Sequence, residues 1–220
     1  MKRIVLPTRK RVALKRLLKA AAVLLVVNHV FLLGLLLPRQ AVHQTEERQG
    51  IGRTRVVTRD WAPEVHKTHL IYLTENERAT MLSGAYLTVY GWMDAFGWAL
   101  DCTTGAPFYA GEYSVRRDGA ERSSWYYYGR VDDPAIETIA VSMQYEDWED
   151  GEPVRREVRR LTADRKDWLE KEGRRYFLFS LPEMEWSVDG AVKSVAIALD
   201  AEGREVSRLE IDQGSHSWFG

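Results

Sequence analysis

One cysteine, Cys102, stands among 220 residues, so no disulfide can close within the chain. Exported animal domains of this size often carry several cysteines. An exported domain with only one relies on its core, which points toward a bacterial envelope protein. No cysteine follows the apolar segment near the N-terminus, which argues against a lipoprotein. The chain also lacks a G-x-S-x-G elbow, a P-loop and a dinucleotide fingerprint, and it has five histidines. Cys102 lies in FGWALDCTTG with no base assignable to it, so nucleophilic catalysis finds no support. No cofactor is implied, and enzymatic activity is possible but unadvertised.

Acid is missing from the first 19 residues, which carry Lys2, Arg3, Arg9, Lys10, Arg11, Lys15, Arg16 and Lys19. The rest of the chain then holds 23 bases against 32 acids, a balance of −9 hidden inside an overall net charge of −1. Two parts of opposite sign call for two environments. The basic arm runs into AAAVLLVVNHVFLLGLLL, Ala20 to Leu37, without a formal charge. As a helix this run would span about 27 Å, close to the hydrocarbon thickness of a bilayer. It is apolar around its circumference rather than along one stripe. The cluster of positive charge lies on its N-terminal side, which predicts a cytoplasmic N-terminus and an exported remainder. The stretch after it, PRQAVHQTEERQG, offers no A-x-A-like cleavage site, so the run is read as an uncleaved signal anchor over a cleaved signal peptide. Asn28 and His29 sit mid-span. Either they are tolerated in a long apolar run, or they mark a helix–helix contact through which the protein self-associates.

Beyond a polar stretch that suits a linker, period-two patterning dominates. In IETIAVSMQY, Ile139, Val141, Met143 and Tyr145 alternate with small or polar residues. VKSVAIALD alternates in the same way through Val195, Ile197 and Leu199. Asp150-Gly151, Ala201-Glu202-Gly203 and Arg117-Asp118-Gly119 supply turn chemistry. Further strands are expected at THLIYLT, GEYSVRR, GAYLTVYGWM, FGWALDC, RRYFLFSL and EVSRLEI, giving eight to ten in all. PVRREVRRL fits a helix by the spacing of Val154, Val158 and Leu161, but the preceding hairpin signal favours a strand. TADRKDWLEKEG reads as a short helix capped by Thr162 or Asp164 and ended by Gly173.

The expected fold is therefore mainly β: one N-terminal transmembrane helix, then an antiparallel β-sandwich-like domain with one short helix. The divisions are a basic cytoplasmic arm (1–19), the anchor (20–37), a linker (38–59), an extracytoplasmic β domain (60–213) and a tail (214–220).

SSWYYYGRVDDP carries the candidate binding residues. Strand alternation sends Trp125, Tyr127 and Val131 to one face, read as core. Ser124, Tyr126, Tyr128 and Arg130 take the other, read as the outer face of the sheet. Two tyrosines beside an arginine could stack on a sugar or a peptide, or be covered by another element. Gly129 is expected to end this strand, with Asp132, Asp133 and Pro134 forming a turn rather than a cation site. Trp92 and Trp98 are expected in the core with Trp125.

Three stretches together, VYGWMDAFGWAL, YYYGRVDDPAIETIAV and RRYFLFSLPEMEWSVDGAVKSVAIALDAEGREV, resemble small uncharacterised membrane-anchored or exported β-rich proteins of spore-forming Gram-positive bacteria. The resemblance covers about Tyr86 to Ile211. It implies a β-rich fold and an envelope location, and transfers no activity and no catalytic residue.

Other chemistry is set aside in turn. His66 and His69 have H-x-x-H spacing, but a strand would point them to opposite faces, and two surface histidines are expected rather than a metal site. Glu146, Asp147, Glu149, Asp150 and Glu152 cluster around Gly151, yet Trp148 stands where an EF-hand loop needs an oxygen ligand. Arg155 to Arg160 could form a positive ladder, but an exported acidic domain is a poor nucleic-acid reader. Besides a structural subunit that interacts only through its membrane helix at Asn28 and His29, two functions remain. One is a membrane-anchored domain that docks an envelope protein or senses a ligand, through Tyr126, Tyr128 and Arg130. The other is an envelope hydrolase using a carboxylate pair such as Asp94 and Asp101.

Overall fold

A computed structural model describes residues 8–30, 35–62, 68–116, 123–149, 152–184, 192–211 and 213–217. The chain opens with helix α1 (Thr8–Val30) and helix α2 (Pro38–Gln49). Four antiparallel strands then form sheet A in chain order: β1 (Arg55–Trp61), β2 (His69–Glu75), β3 (Ala79–Thr88) and β4 (Gly91–Asp101). β5 (Phe108–Arg116) and β6 (Ser123–Val131) begin sheet B, and β7 (Thr138–Glu149) and β8 (Glu152–Asp164) begin sheet C. The chain returns to sheet B with β9 (Leu169–Lys171) and β10 (Arg174–Met184), then to sheet C with β11 (Val192–Leu199) and β12 (Glu205–Ile211). Last, β13 (Gln213–Ser217) pairs parallel to β5, giving the orders β13-β5-β6-β10-β9 and β12-β11-β7-β8.

The mainly antiparallel β class stands, but with three sheets. Sheet B is the middle layer. Tyr113, Tyr126, Tyr128 and Tyr176 leave one of its faces to pack with Ile71, Leu73, Leu82 and Phe96 of sheet A. Phe108, Tyr127, Val131 and Phe177 leave the other face to pack with Ile139, Val141, Met143 and Ala196 of sheet C. A strand buried on both faces needs apolar residues at both parities, and this accounts for the unbroken aromatic run of β6.

Several expectations are corrected here. The linker stretch contains a helix: α2 starts on Pro38, ends at Gly50 in the left-handed conformation (φ 66), and seats Ala41, Val42, Thr45 and Glu46 on sheet A. Thr162–Gly173 is not a helix. It comprises the end of β8, a 3-10 turn over Arg165–Asp167, β9 and a turn at Glu172-Gly173. Strand pairing outweighs helix propensity there, since β9 hydrogen-bonds to β10. GAYLTVYGWM is not one strand, because the chain turns through Val89-Tyr90 and Thr88 pairs with Gly91. Gly129 lies inside β6 rather than ending it.

PVRREVRRL is strand β8, as the hairpin signal favoured, and Glu149 pairs with Glu152 across the Asp150-Gly151 connection. The Asp132–Pro134 turn is present. Asp132 and Asp133 N–H groups donate to the Pro107 carbonyl, and the Asp133 carboxylate accepts from Ala135 N–H at 2.8 Å. The proposed turn at residues 117–119 lies outside the described residues.

Among the described residues no helix is long and apolar enough to cross a membrane. The first half of α1 is the basic arm, with Arg9, Lys10, Arg11, Lys15, Arg16 and Lys19. Of the apolar run, Ala20–Val30 is helical, residues 31–34 lie outside the described residues, and Leu35–Leu37 is not helical. Asn28 and His29 belong to α1, while their side chains lie outside what is described.

Candidate functional site

Strand parity places Tyr126, Tyr128 and Arg130 on one face of β6, as expected, but that face is not an outer one. Their exposures are 2%, 0% and 4%. Sheet A packs over Tyr126 and Tyr128, while Arg130 is buried with its Nη2 bonded and its Nε and Nη1 without a hydrogen-bond partner. The Tyr128 hydroxyl donates to the Trp98 carbonyl at 2.7 Å, and burial drives its pKa well above the ordinary phenol value. Arg130 donates to the Asp132 carboxylate at 2.6 Å and the Cys102 carbonyl at 3.2 Å, with its guanidinium 5.2 Å from the Tyr109 ring centre. Tyr126 and Tyr128 join sheet B to sheet A, and Arg130 ties β6 to the segment after β4. Trp92, Trp98 and Trp125 are half-buried, each at the margin of a different core cluster.

The carboxylates considered for hydrolysis are not a pair. Asp94 and Asp101 lie on β4 seven positions apart, about 20 Å for strand geometry. A glycosidase pair needs them within about 10 Å. Asp94 is held in an ion pair with Arg48 of α2. Asp101 accepts from Thr103 through both its N–H (2.9 Å) and its hydroxyl (2.7 Å), which lowers its pKa. A general acid requires the opposite shift.

Of the H-x-x-H pair, His66 lies outside the described residues. His69 is buried, a correction to the expected surface position, and stacks on Tyr86 with ring centres 5.3 Å apart. The arginine ladder of β8 is interleaved with acids: Arg155 pairs with Glu210 at 3.0 Å and Arg160 with Glu157 at 3.1 Å.

Buried charge is concentrated in fasteners that composition did not reveal. Glu75 of β2 is fully buried between Arg55 of β1 (2.8 Å) and Arg174 of β10 (3.0 Å), tying sheet A to sheet B. Glu46 of α2 is buried against Arg39 (2.8 Å), with His43 and Thr54 also bonded to it. Replacing Glu75 with Leu is expected to cost about 2 kcal/mol, below the usual penalty for breaking a buried pair because both arginines retain access to water. Urea unfolding of the purified chain measures it.

One surface stands apart from these fasteners. At the β3–β4 turn, Leu87, Val89, Tyr90 and Met93 are exposed, Val89 at 93%. An apolar groove of about 840 Å³ lies beside them, walled on its other side by Leu24 and Val27 of α1. Leu35 joins the hairpin directly: its N–H donates to the Trp92 carbonyl at 2.8 Å, and the Trp92 N–H donates back at 2.7 Å. Trp61 lies 6.4 Å from Trp92, ring centre to ring centre. The expectation of one continuous strand here hid this surface from sequence reading. The signal that could have found it is the uncharged run ATMLSGAYLTVYGWM between Arg78 and Asp94, which places apolar residues at the turn itself.

Comparison with protein-family models, with curated proteins and with solved structures finds no match to this chain.

Proposed function

We propose that this chain is a single-pass membrane protein with its N-terminus in the cytoplasm, and that its β layers lie outside and serve binding. The task would be to dock an envelope protein or sense a ligand near the bilayer. One observation carries the membrane half of this reading. Leu17, Leu18, Val23, Leu24, Val26 and Val27 of α1 are all exposed, and the six together spread around the helix rather than along one stripe. Apolar area left in water costs about 25 cal/mol per Å², so such a helix favours lipid or another helix. The run Ala20–Leu37 supplies the span, and the basic arm sets its direction by the positive-inside rule. Association of two copies through Asn28 and His29 belongs to the same proposal.

Binding is favoured over hydrolysis because the charges that looked chemical are committed to the fold. Asp94 is tied to Arg48 and Asp101 to Thr103. An envelope location also agrees with the resemblance of Tyr86–Ile211 to exported β-rich proteins.

Washing isolated membranes with alkaline carbonate tests the anchor. The full chain is expected to stay with the membrane pellet, while a chain lacking Ala20–Leu37 is expected in the soluble fraction. Release of the full chain by carbonate would overturn the proposal.

A further inference from the structure

We propose that the β3–β4 hairpin tip is itself a lipid-binding surface, dipping Leu87, Val89 and Tyr90 into the interfacial layer of the bilayer and so fixing how the β layers stand on the membrane. This rests on the membrane anchoring proposed above, and it adds a second contact on a different element.

The tip has a composition that a turn in water does not call for. Two-residue hairpin connections favour Asn-Gly or Asp-Gly, because those residues tolerate the backbone conformations required. Here the connection is Val89-Tyr90, and Thr88 supports the turn instead. Its hydroxyl donates to the Gly91 carbonyl at 2.9 Å and accepts from the Tyr90 N–H at 3.1 Å. Turn propensity is given up for exposed apolar area. Local chemistry that contradicts local structure in this way tends to mark a functional position.

Continuity with the anchor identifies the occupant. Leu35 belongs to the apolar run and is bonded twice to Trp92, at the root of the hairpin. Leu36 and Leu37, which end the run, are both exposed. Leu24 and Val27 of α1 wall the same groove as Val89 and Tyr90, so the tip lies alongside the helix that leads into the apolar run. Trp61, Tyr90 and Trp92 supply the amphipathic rings that concentrate at the membrane–water boundary.

Charge complements the lipid just behind this apolar front. Exposed Arg59 lines a cleft that Leu37 also borders, which places one guanidinium group where anionic headgroups would lie, while Arg39 of the same cleft is held by Glu46. The partner is therefore a bilayer surface with anionic lipid, and the apolar side chains with their arginine backing act as one unit.

The test uses the full chain reconstituted into vesicles of phosphatidylglycerol and phosphatidylethanolamine, some of the lipid carrying a spin label on its acyl chain. An environment-sensitive fluorophore is attached at Val89→Cys, at Leu24→Cys in α1, or at Glu202→Cys in an exposed turn. The native Cys102 is buried and stays unlabelled. The expected result is strong quenching and a blue-shifted emission at positions 24 and 89, with neither at 202. Quenching at 24 without 89 overturns the dipping tip and leaves the anchor standing. Quenching at neither overturns both. Cross-linking between copies through position 89, without lipid quenching there, would assign the surface to a second copy and also overturn the proposal. Val89→Asp, at so exposed a position, is expected to leave the fold intact, and α1 in the same variant should still be quenched at position 24.

Discussion

Gly129→Ala is expected to lower the stability of the β layers by about 3 kcal/mol or more, enough to keep much of the chain from accumulating folded. A Cβ at Gly129 would run into the Tyr109 carbonyl on β5 and the Phe177 ring on β10. The first of these is backbone and cannot rotate away. β6 is also the strand with the least room to shift, because Tyr126 and Tyr128 hold one face against sheet A while Tyr127 and Val131 hold the other against sheet C. Gly105→Ala provides the contrast. Gly105 has φ 71 with nothing within 4 Å of its added Cβ, so only backbone strain of about 1 kcal/mol applies. Urea midpoints of the two variants, measured against the parent chain in the same detergent, separate a clash from strain. Equal midpoints for the two variants would remove sheet B from the middle of the stack.

The second large effect is a pH dependence centred on Glu112. This residue leaves β5 toward sheet C, where the Tyr127 hydroxyl and the Ser194 hydroxyl meet at 3.0 Å. Burial raises its pKa from 4.5 to about 7, with hydrogen bonds from Ser194 and Tyr127 holding it back from rising further. Because the folded form keeps its proton more tightly than the unfolded one, the contribution to stability is fully present below about pH 4.5. It is lost as pH rises toward 7, amounting to about 3 kcal/mol across that interval. Glu112→Gln cannot ionise, so the variant is expected to match the parent near pH 4 and to exceed it above pH 7. Asp101 and Asp200, whose pKa values are lowered by hydrogen bonds from Thr103 and Arg204, act in the opposite sense at lower pH. They are common to both proteins and cancel in the difference. Parallel stability curves for parent and variant would show that Glu112 is not titrating in the fold.

The strands were legible to the extent that their burial followed one rule. Period-two alternation marks both β7 and β11 as strands. In β7 its apolar set Ile139, Val141 and Met143 faces sheet B, whereas in β11 the small Ala196 and Ala198 face sheet B and Val195 and Ile197 pack with Ala140 on the other side. For β6 the alternation gave the correct parity of Tyr126 and Tyr128, and composition could not say that a third sheet lay over them. Arg130 misled for the same reason, since an arginine on a sheet face normally reports solvent, and its burial depends on Asp132 and the Cys102 carbonyl arriving from the loops. Helix α2 was missed because it buries only Ala41, Val42, Thr45 and Glu46, too short a stripe to stand out from the charges around it. Its hold on sheet A comes partly from Glu46, a residue that looks solvated until Arg39 and Thr54 are placed beside it. The hairpin at Val89-Tyr90 was hidden by apolar residues in a turn, which is where the lipid-facing proposal begins.

The location of the β layers relative to the membrane is the most direct test of this account. Glu202→Cys places a thiol in an exposed turn, Lys15→Cys places one in the basic half of α1, and buried Cys102, whose thiol pKa is raised chiefly by desolvation, is a poor target. A membrane-impermeant maleimide applied to intact cells with their outer layers removed is predicted to label position 202 and not position 15, with position 15 labelled once the membrane is permeabilised. Labelling at 15 in intact cells, with 202 labelled only after permeabilisation, would contradict the account.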